Sequence, residues 1–275
     1  MNRLLSMTNK NIVAGLGEIG NPIFKLLSKK TLTVGYDINP RLMDLKKFKK
    51  FENHKTLFLH ICIPFTQKFI NTVASLYTKF QAECIIIHST TSPGTTKKLQ
   101  ERLQVPVIYS ATRGLHKNML KDLKRYTKFY SIESNAPRGN WAISNYKKLM
   151  KKCGVKTKNM SSPLTLELAK IIVDTSYYGW LINYAQISNM IARKYKVNYD
   201  EMWLFADEIQ KFLGNRPKMF PGFIGGHCVI PNLDLIHEKK LDQINEINAI
   251  YLKKVKNAKS ISKKYTKGNQ SYDKK

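Results

Sequence analysis

Between two short apolar runs stands Gly15-Leu16-Gly17-Glu18-Ile19-Gly20, and no other stretch restricts the possible folds as tightly. Asn11-Ile12-Val13-Ala14 precedes it, a helical pattern follows over 22–27, and Leu32-Thr33-Val34-Gly35-Tyr36 ends on Asp37. Strand, glycine turn, helix, strand and acid, in that order, are the context in which a GxGxxG pattern holds a dinucleotide. Gly15 permits the turn, Gly17 lets a pyrophosphate approach, and Gly20 lets the helix pack on the strand. The helix start then turns its positive end to the phosphates. Asp37 is placed to accept from a ribose 2′-OH, which favours NAD over NADP.

The alternation continues with strands expected at 56–63, 83–88, 106–109 and 126–132, and helices at 65–79 and 95–103. Such a series implies right-handed βαβ units in a doubly wound parallel sheet, an α/β Rossmann domain over residues 1–160. Ligands sit at the carboxyl ends of parallel strands. Those ends are Gly15, Asp37, Pro64, Ser89-Thr90 and Ser110-Ala111-Thr112-Arg113, so Pro64, Ser89 and Thr90 join the expected cofactor edge.

Residues 161–258 read as an all-helical domain built on one long helix. Ser162-Pro163 is a cap followed by proline at the first helical position. Leu166, Ala169, Val173, Tyr177, Trp180, Tyr184, Ile187 and Ile191 then recur at steps of three and four, an apolar stripe along about 30 residues. The stripe suits either burial within the chain or a homodimer through this helix. Lys170 and Asp174, four apart, are either a solvated ion pair or a cation and carboxylate facing a cleft. Further helices are expected at 200–213 and 234–256. Between them lies Pro221-Gly222-Phe223-Ile224-Gly225-Gly226-His227-Cys228-Val229-Ile230-Pro231-Asn232. Its glycines allow close backbone approach, and a thiol near a helix start has amides to favour its thiolate.

Hydrophobic residues make up 43% of the 275, enough for a core. The four cysteines show no CxxC pair, which fits reduced thiols in a cytoplasm rather than a disulfide framework or a metal site. No apolar run is long enough to span a membrane, and the first ten residues lack the apolar core of a secretory signal. A net charge of +28 suits acidic partners such as nucleotides or phosphorylated sugars. No recognition motif for nucleic acid accompanies the lysines, and residues 259–275 read as a basic tail.

These pieces together resemble the UDP-glucose/GDP-mannose dehydrogenase family of nucleotide-sugar 6-dehydrogenases. The resemblance rests on Gly15-Leu16-Gly17-Glu18-Ile19-Gly20, Ser89-Thr90-Thr91-Ser92-Pro93-Gly94-Thr95-Thr96, Glu167-Leu168-Ala169-Lys170 and Gly225-Gly226-His227-Cys228. It implies NAD-dependent oxidation of a sugar alcohol, through a cysteine thiohemiacetal and thioester, in polysaccharide precursor biosynthesis. It also implies a nucleotide-sugar substrate and a dimer. Cys228 becomes the nucleophile, Lys170 the oxyanion partner and Thr90 the residue that positions a water, with Glu18 and Ile19 at the cofactor beside the three glycines. Two exchanges set the chain apart, Asp174 where the family has Asn and Asn232 where it has Asp. They keep the charge of the pocket and move one carboxylate, and Asp174 would hold Lys170 protonated. Thr112 stands where the family has a catalytic glutamate. Family members carry a further doubly wound domain after the cysteine helix, so the resemblance is to a shortened form. The alternatives are a catalytically silent NAD-binding dimeric module and a single-step enzyme like the β-hydroxyacid dehydrogenases.

Overall fold

The computed structural model describes residues 9–226 and 228–257; the expected basic tail lies outside them. Contacts divide the chain after Lys170 into two compact units.

The first unit contains β1 (Lys10–Ala14), β2 (Thr33–Tyr36), β3 (Thr56–Ile61), β4 (Cys84–Ile87), β5 (Val107–Tyr109), β6 (Lys128–Ile132) and β7 (Thr157–Asn159). They form one sheet in the order β2-β1-β3-β4-β5-β6-β7. Its helices are α1 (Gly20–Ser28), α2 (Leu45–Lys50), α3 (Phe69–Phe80), α4 (Thr95–Arg102), α5 (Met119–Arg125), α6 (Gly139–Lys152) and α7 (Pro163–Leu168). Because both sheet faces are covered, the central strands are largely apolar on both faces rather than alternating. Val13, Phe58, Ile86 and Ile108 pack with Ile23, Leu123 and Tyr146 on one face. Ile12, Leu59, Ile85 and Val107 pack with Val73, Leu99 and Leu166 on the other. Each fully buried side chain of this kind contributes roughly 1.5–3 kcal/mol.

The strand order reverses at β1, which lies between β2 and β3. Carboxyl ends at such a reversal border a ligand crevice. Register lines the ends up, with Ala14 opposite Ile61, Ile61 opposite Ile87 and Ile87 opposite Tyr109. The turns that begin at Gly15, Cys62, His88 and Ser110 therefore start side by side.

The expectation of an all-parallel sheet needs one correction. β6 runs antiparallel to β5, pairing Ile108 with Ile132 and Tyr109 with Ser131. α5 has seven residues and rises only about 10 Å, so it does not carry the chain back along the sheet. Consequently β6 starts at the edge where β5 ends. Four elements, α2, α5, α6 and β7, lie outside the sequence expectation.

The expected long helix is three consecutive pieces. α7 leads into a π segment, Ala169–Ser176, and then α8 (Tyr177–Lys194). In the wide turn the Thr175 and Ser176 hydroxyls both donate to the Ile171 carbonyl, at 2.9 and 2.8 Å. Such hydroxyls compete with the backbone ladder. The π register shifts every residue downstream to a new face, and the burial of the stripe changes accordingly. Val173, Tyr177 and Tyr184 are 68%, 58% and 63% exposed. The buried face of α8 is instead small and polar, carrying Gly179, Asn183, Gln186 and Asn189.

The second unit adds α9 (Tyr199–Leu213), α10 (Val229–Leu233) and α11 (Lys239–Asn257); among its described residues there is no strand. α11 packs along α8. A Cβ at Gly179 would lie 2.8 Å from a Val229 methyl and 3.1 Å from Ile244, so glycine there lets α10 and α11 seat directly on α8.

Candidate dinucleotide site and cysteine loop

At the glycine turn, Gly15 has φ +88°, and a Cβ on it would lie 2.7 Å from the Cys62 carbonyl oxygen. A Cβ on Gly20 would come within 1.6 Å of the Gly15 carbonyl oxygen. No side chain fits at either place, so the turn requires both glycines. Gly17 differs: nothing lies within 4 Å of its Cβ position, leaving open space over its backbone. No side chain caps the start of α1, so its first amides keep their positive end for an anion. At the end of β2, Asp37 Oδ2 accepts from the Leu16 amide at 2.7 Å, and Oδ1 from the Asn39 amide at 2.8 Å. A carboxylate has about four acceptor positions, so a ribose diol still has acceptors there. Pro64 is exposed, while Ser89 and Thr90 are half-buried. Ser89 Oγ donates to the Ile63 carbonyl at 2.6 Å and ties that turn to the end of β3. These residues fit a dinucleotide.

Two stretches distant in sequence meet through Glu167. Its carboxylate is fully buried and caps α4. Oε2 accepts from the Gly94 amide at 2.6 Å, while Oε1 accepts from the Thr96 amide at 2.9 Å and the Thr96 hydroxyl at 2.7 Å. The Thr91 hydroxyl adds a longer contact at 3.5 Å. Burial pushes the carboxyl above its usual range, against these hydrogen bonds, which pull it down. The Ser89–Thr96 turn is thereby fastened three residues before Lys170.

In the second unit, a set of buried amides holds the backbone before Cys228. Asn248 Oδ1 accepts from the Ile224 amide at 2.8 Å, and its Nδ2 donates to the Ile224 carbonyl at 3.0 Å. Gln186 Nε2 donates to the Gly222 carbonyl at 2.7 Å and to Asn248 Oδ1 at 3.0 Å. Asn183 Nδ2 bonds Gln186 Oε1 at 2.8 Å, and the Tyr251 hydroxyl donates to the Pro221 carbonyl. Burial strengthens such bonds and makes an unmade one costly. Cys228 directly precedes α10 and is exposed on its unit; its neighbour His227 lies outside the described residues. Burial pushes the Cys62 thiol up to about 12 and raises those of Cys84 and Cys153 as well.

No protein-family model and no curated protein sequence matches the chain. Solved structures do. UDP-D-ManNAc dehydrogenase from Pyrococcus horikoshii superposes with a TM-score of 0.72 at 19% identity, over 88% of this chain and 68% of that one. UDP-N-acetyl-mannosamine dehydrogenase from Staphylococcus aureus does so at 0.68 and 19%, over 93% and 71%. The chain has the fold of the nucleotide-sugar dehydrogenases. A looser likeness, 0.58 at 12% identity over 90% and 88%, is to 3-hydroxyisobutyrate dehydrogenase from Mycobacterium tuberculosis.

On this dehydrogenase fold, Lys170 and Asp174 both fall in the π segment, so they are not on one turn of a regular α-helix as their spacing suggests. π turns are frequent at functional sites. Asn232 is buried within α10. The structure adds residues that sequence reasoning passed over. Glu167 was visible only as part of a motif, with no sign of what it caps. Asn183 and Gln186 had a signal, polar residues recurring three apart in an otherwise apolar helix. Asn248 and Tyr251 had none. Among the described residues, no group of His, Cys, Asp and Glu is arranged to hold a metal ion.

Proposed function

We propose that the chain is an NAD-dependent oxidoreductase that oxidises the C6 alcohol of a nucleotide sugar, with Cys228 as covalent nucleophile, in the making of a polysaccharide precursor. The observation that carries this reading is a dinucleotide turn that admits only glycine at two positions, on the fold of the nucleotide-sugar dehydrogenases. NAD, when bound, would supply the hydride acceptor. Gly15, Gly17 and Gly20, with the Glu18 and Ile19 backbone, cradle the pyrophosphate, Asp37 takes the ribose, and Pro64, Ser89 and Thr90 complete the edge. The Cys228 thiolate adds to the aldehyde carbon to give a thiohemiacetal, and after a second oxidation it holds the acyl group as a thioester until water arrives. Lys170 opposes the developing oxyanion, with Asp174 and Asn232 setting the local charge and Thr90 a water.

A thermal-shift series tests this. NAD at saturating millimolar concentration is expected to raise the melting point by roughly 5 °C or more, NADP by less, and UDP-N-acetylmannosamine to add a further shift. NADH is then expected at two equivalents per sugar. An unchanged melting point with NAD would remove the reading. The likeness to 3-hydroxyisobutyrate dehydrogenase favours a second one, a single hydride transfer, which gives one equivalent.

We also propose a homodimer through the long helix. The support is apolar surface left uncovered within the unit: Val173, Tyr177 and Tyr184 on the helix, and Phe205 and Phe212 on α9 at 85% and 83% exposure. Patches of this extent mark interaction surfaces. Light scattering should give twice the 31.8 kDa chain mass at tens of micromolar, and Tyr184→Asp should return the monomer. A wild-type monomer at that concentration would count against it. Among the described residues, no helix is long and apolar enough to cross a membrane.

A further inference from the structure

The resemblance leaves one role unfilled, because Thr112 stands where the family has an acid–base glutamate. The structure places a second group there. Because β6 runs antiparallel to β5, its first residue, Lys128, lies beside the carboxyl end of β5. Lys128 is 6% exposed. Its Nζ is hydrogen-bonded at 2.9 Å to the Ser110 carbonyl, at 3.4 Å to the Ala111 carbonyl and at 3.2 Å to Thr112 Oγ1. A neutral amine has two N–H donors and one lone pair, which matches two carbonyls that only accept and one hydroxyl that can donate.

The surroundings favour that neutral form. Desolvation dominates and brings the Lys128 amine down to about 7; Cys62 opposes this, and Lys170 and Arg113 add to it. His60 on β3 and His88 after β4 are buried, linked Nδ1 to Nε2 at 2.9 Å, and kept neutral by desolvation with Lys128 contributing. Asp122 of α5 lines the same small cavity as Arg113 and Lys128. Its carboxylate is engaged by the Leu115 amide at 3.0 Å and by Arg125 at 3.7 Å.

We propose that Thr112 and Lys128 work as one proton-transfer pair in the place of the missing glutamate. Thr112 Oγ1 takes the proton of an alcohol or water at the carboxyl end of β5 while its own hydroxyl proton passes to Lys128 Nζ. The alcohol O–H bond breaks, the Thr112 O–H bond breaks and is remade, and a third N–H bond forms on Lys128. This assignment rests on the function proposed above, in which the dinucleotide, when bound, would supply the hydride acceptor. The cavity beside Lys128, about 10 Å³, has room for one water and gives the proton a path outward. Lys128 acts through Thr112 and is a positioning residue; Thr112, 6% exposed, is the member of the pair assigned to the substrate side.

Two measurements test the pair. The first is the ¹³Cε–¹Hε titration of lysine-labelled protein between pH 5.5 and 9.5, with the Lys128 signal assigned by its loss in Lys128→Met. A midpoint near 7 upholds the pair; a Lys128 signal still protonated at pH 9 overturns it. The second is NADH formation from NAD and UDP-N-acetylmannosamine over the same range. The neutral amine is the acceptor, so the wild-type rate should rise with pH through that midpoint. Lys128→Arg keeps a cation on the two carbonyls but cannot deprotonate, and Thr112→Val removes the relay. Each should lose the pH step and about 100-fold or more in rate while retaining the NAD thermal shift. Adding Thr112→Glu to Lys128→Arg should restore at least about tenfold of it. If Lys128→Arg stays within threefold of wild type, the lysine only holds the turn and the proposal falls. If wild type makes no NADH, the sugar reading fails instead, and the titration midpoint decides the pair alone.

Discussion

Replacing Glu167 by alanine is expected to cost about 3–5 kcal/mol of stability, the largest loss for any single polar side chain in the first unit. Alanine leaves the buried Thr96 amide and hydroxyl and the half-buried Gly94 amide without their acceptor, and each buried orphan costs about 1–3 kcal/mol. It also uncaps α4 and empties a space between α4 and α7. Glutamine should do less damage, roughly 1–3 kcal/mol, because it keeps one acceptor oxygen and points a donor at one of the amides. Urea unfolding with an unchanged slope measures both; a loss under about 1 kcal/mol for alanine would show that water replaces the carboxylate freely. The pH dependence has a definite sign. Burial raises the folded-state carboxyl, so its protonated form is favoured in the fold. That stability is complete below the ordinary carboxylate range and is lost as pH rises through the folded-state value. Glu167→Gln should flatten the slope.

Cys228→Ala is expected to abolish the overall oxidation, lowering NADH formation at least about 10³-fold. Without the sulfur there is no thiohemiacetal, so an aldehyde has no route to a second hydride donor, and at most one equivalent of NADH appears per sugar. NAD should still raise the melting point, because the glycine turn belongs to the other unit. In wild type, iodoacetamide at neutral pH should label Cys228 ahead of the other three thiols. Cys228 is exposed on its unit, whereas burial raises Cys62, Cys84 and Cys153, and only thiolates react. Two equivalents of NADH from Cys228→Ala would end the covalent reading, and labelling that starts at Cys62 would argue against an activated thiol at 228.

Much of the dinucleotide half was legible in the chain because its signals are local. Gly20 is demanded by the Gly15 carbonyl five residues back, and Gly15 by its own positive φ, although the Cys62 carbonyl it must also clear lies far along the chain. β1, β2 and α1 follow from runs of apolar residues that need no partner to be recognised, and observed boundaries differ from expected ones by a residue or two at most of these ends. α6 was not legible: lysines interrupt its apolar spacing, and Ala142, Tyr146 and Leu149 become a face only against the sheet. The amide set around Ile224 was legible only in part, in the spacing of Asn183 and Gln186, for a similar reason. Asn183, Gln186, Asn248 and Tyr251 converge from two helices, and polar residues carry no mark of burial until something covers them.

Local patterning thus settled that this chain would alternate strands with helices, bend on glycine at the end of its first strand and carry a cysteine beside a helix start. Contacts across sequence settled the direction of β6, the capping of α4 by Glu167, and the meeting of Lys128 with Thr112. The reason is one of range. A glycine turn motif or an apolar period is marked within a turn or two, whereas strand direction and the charge state of a buried amine depend on what packs around them, and that is written in no single stretch.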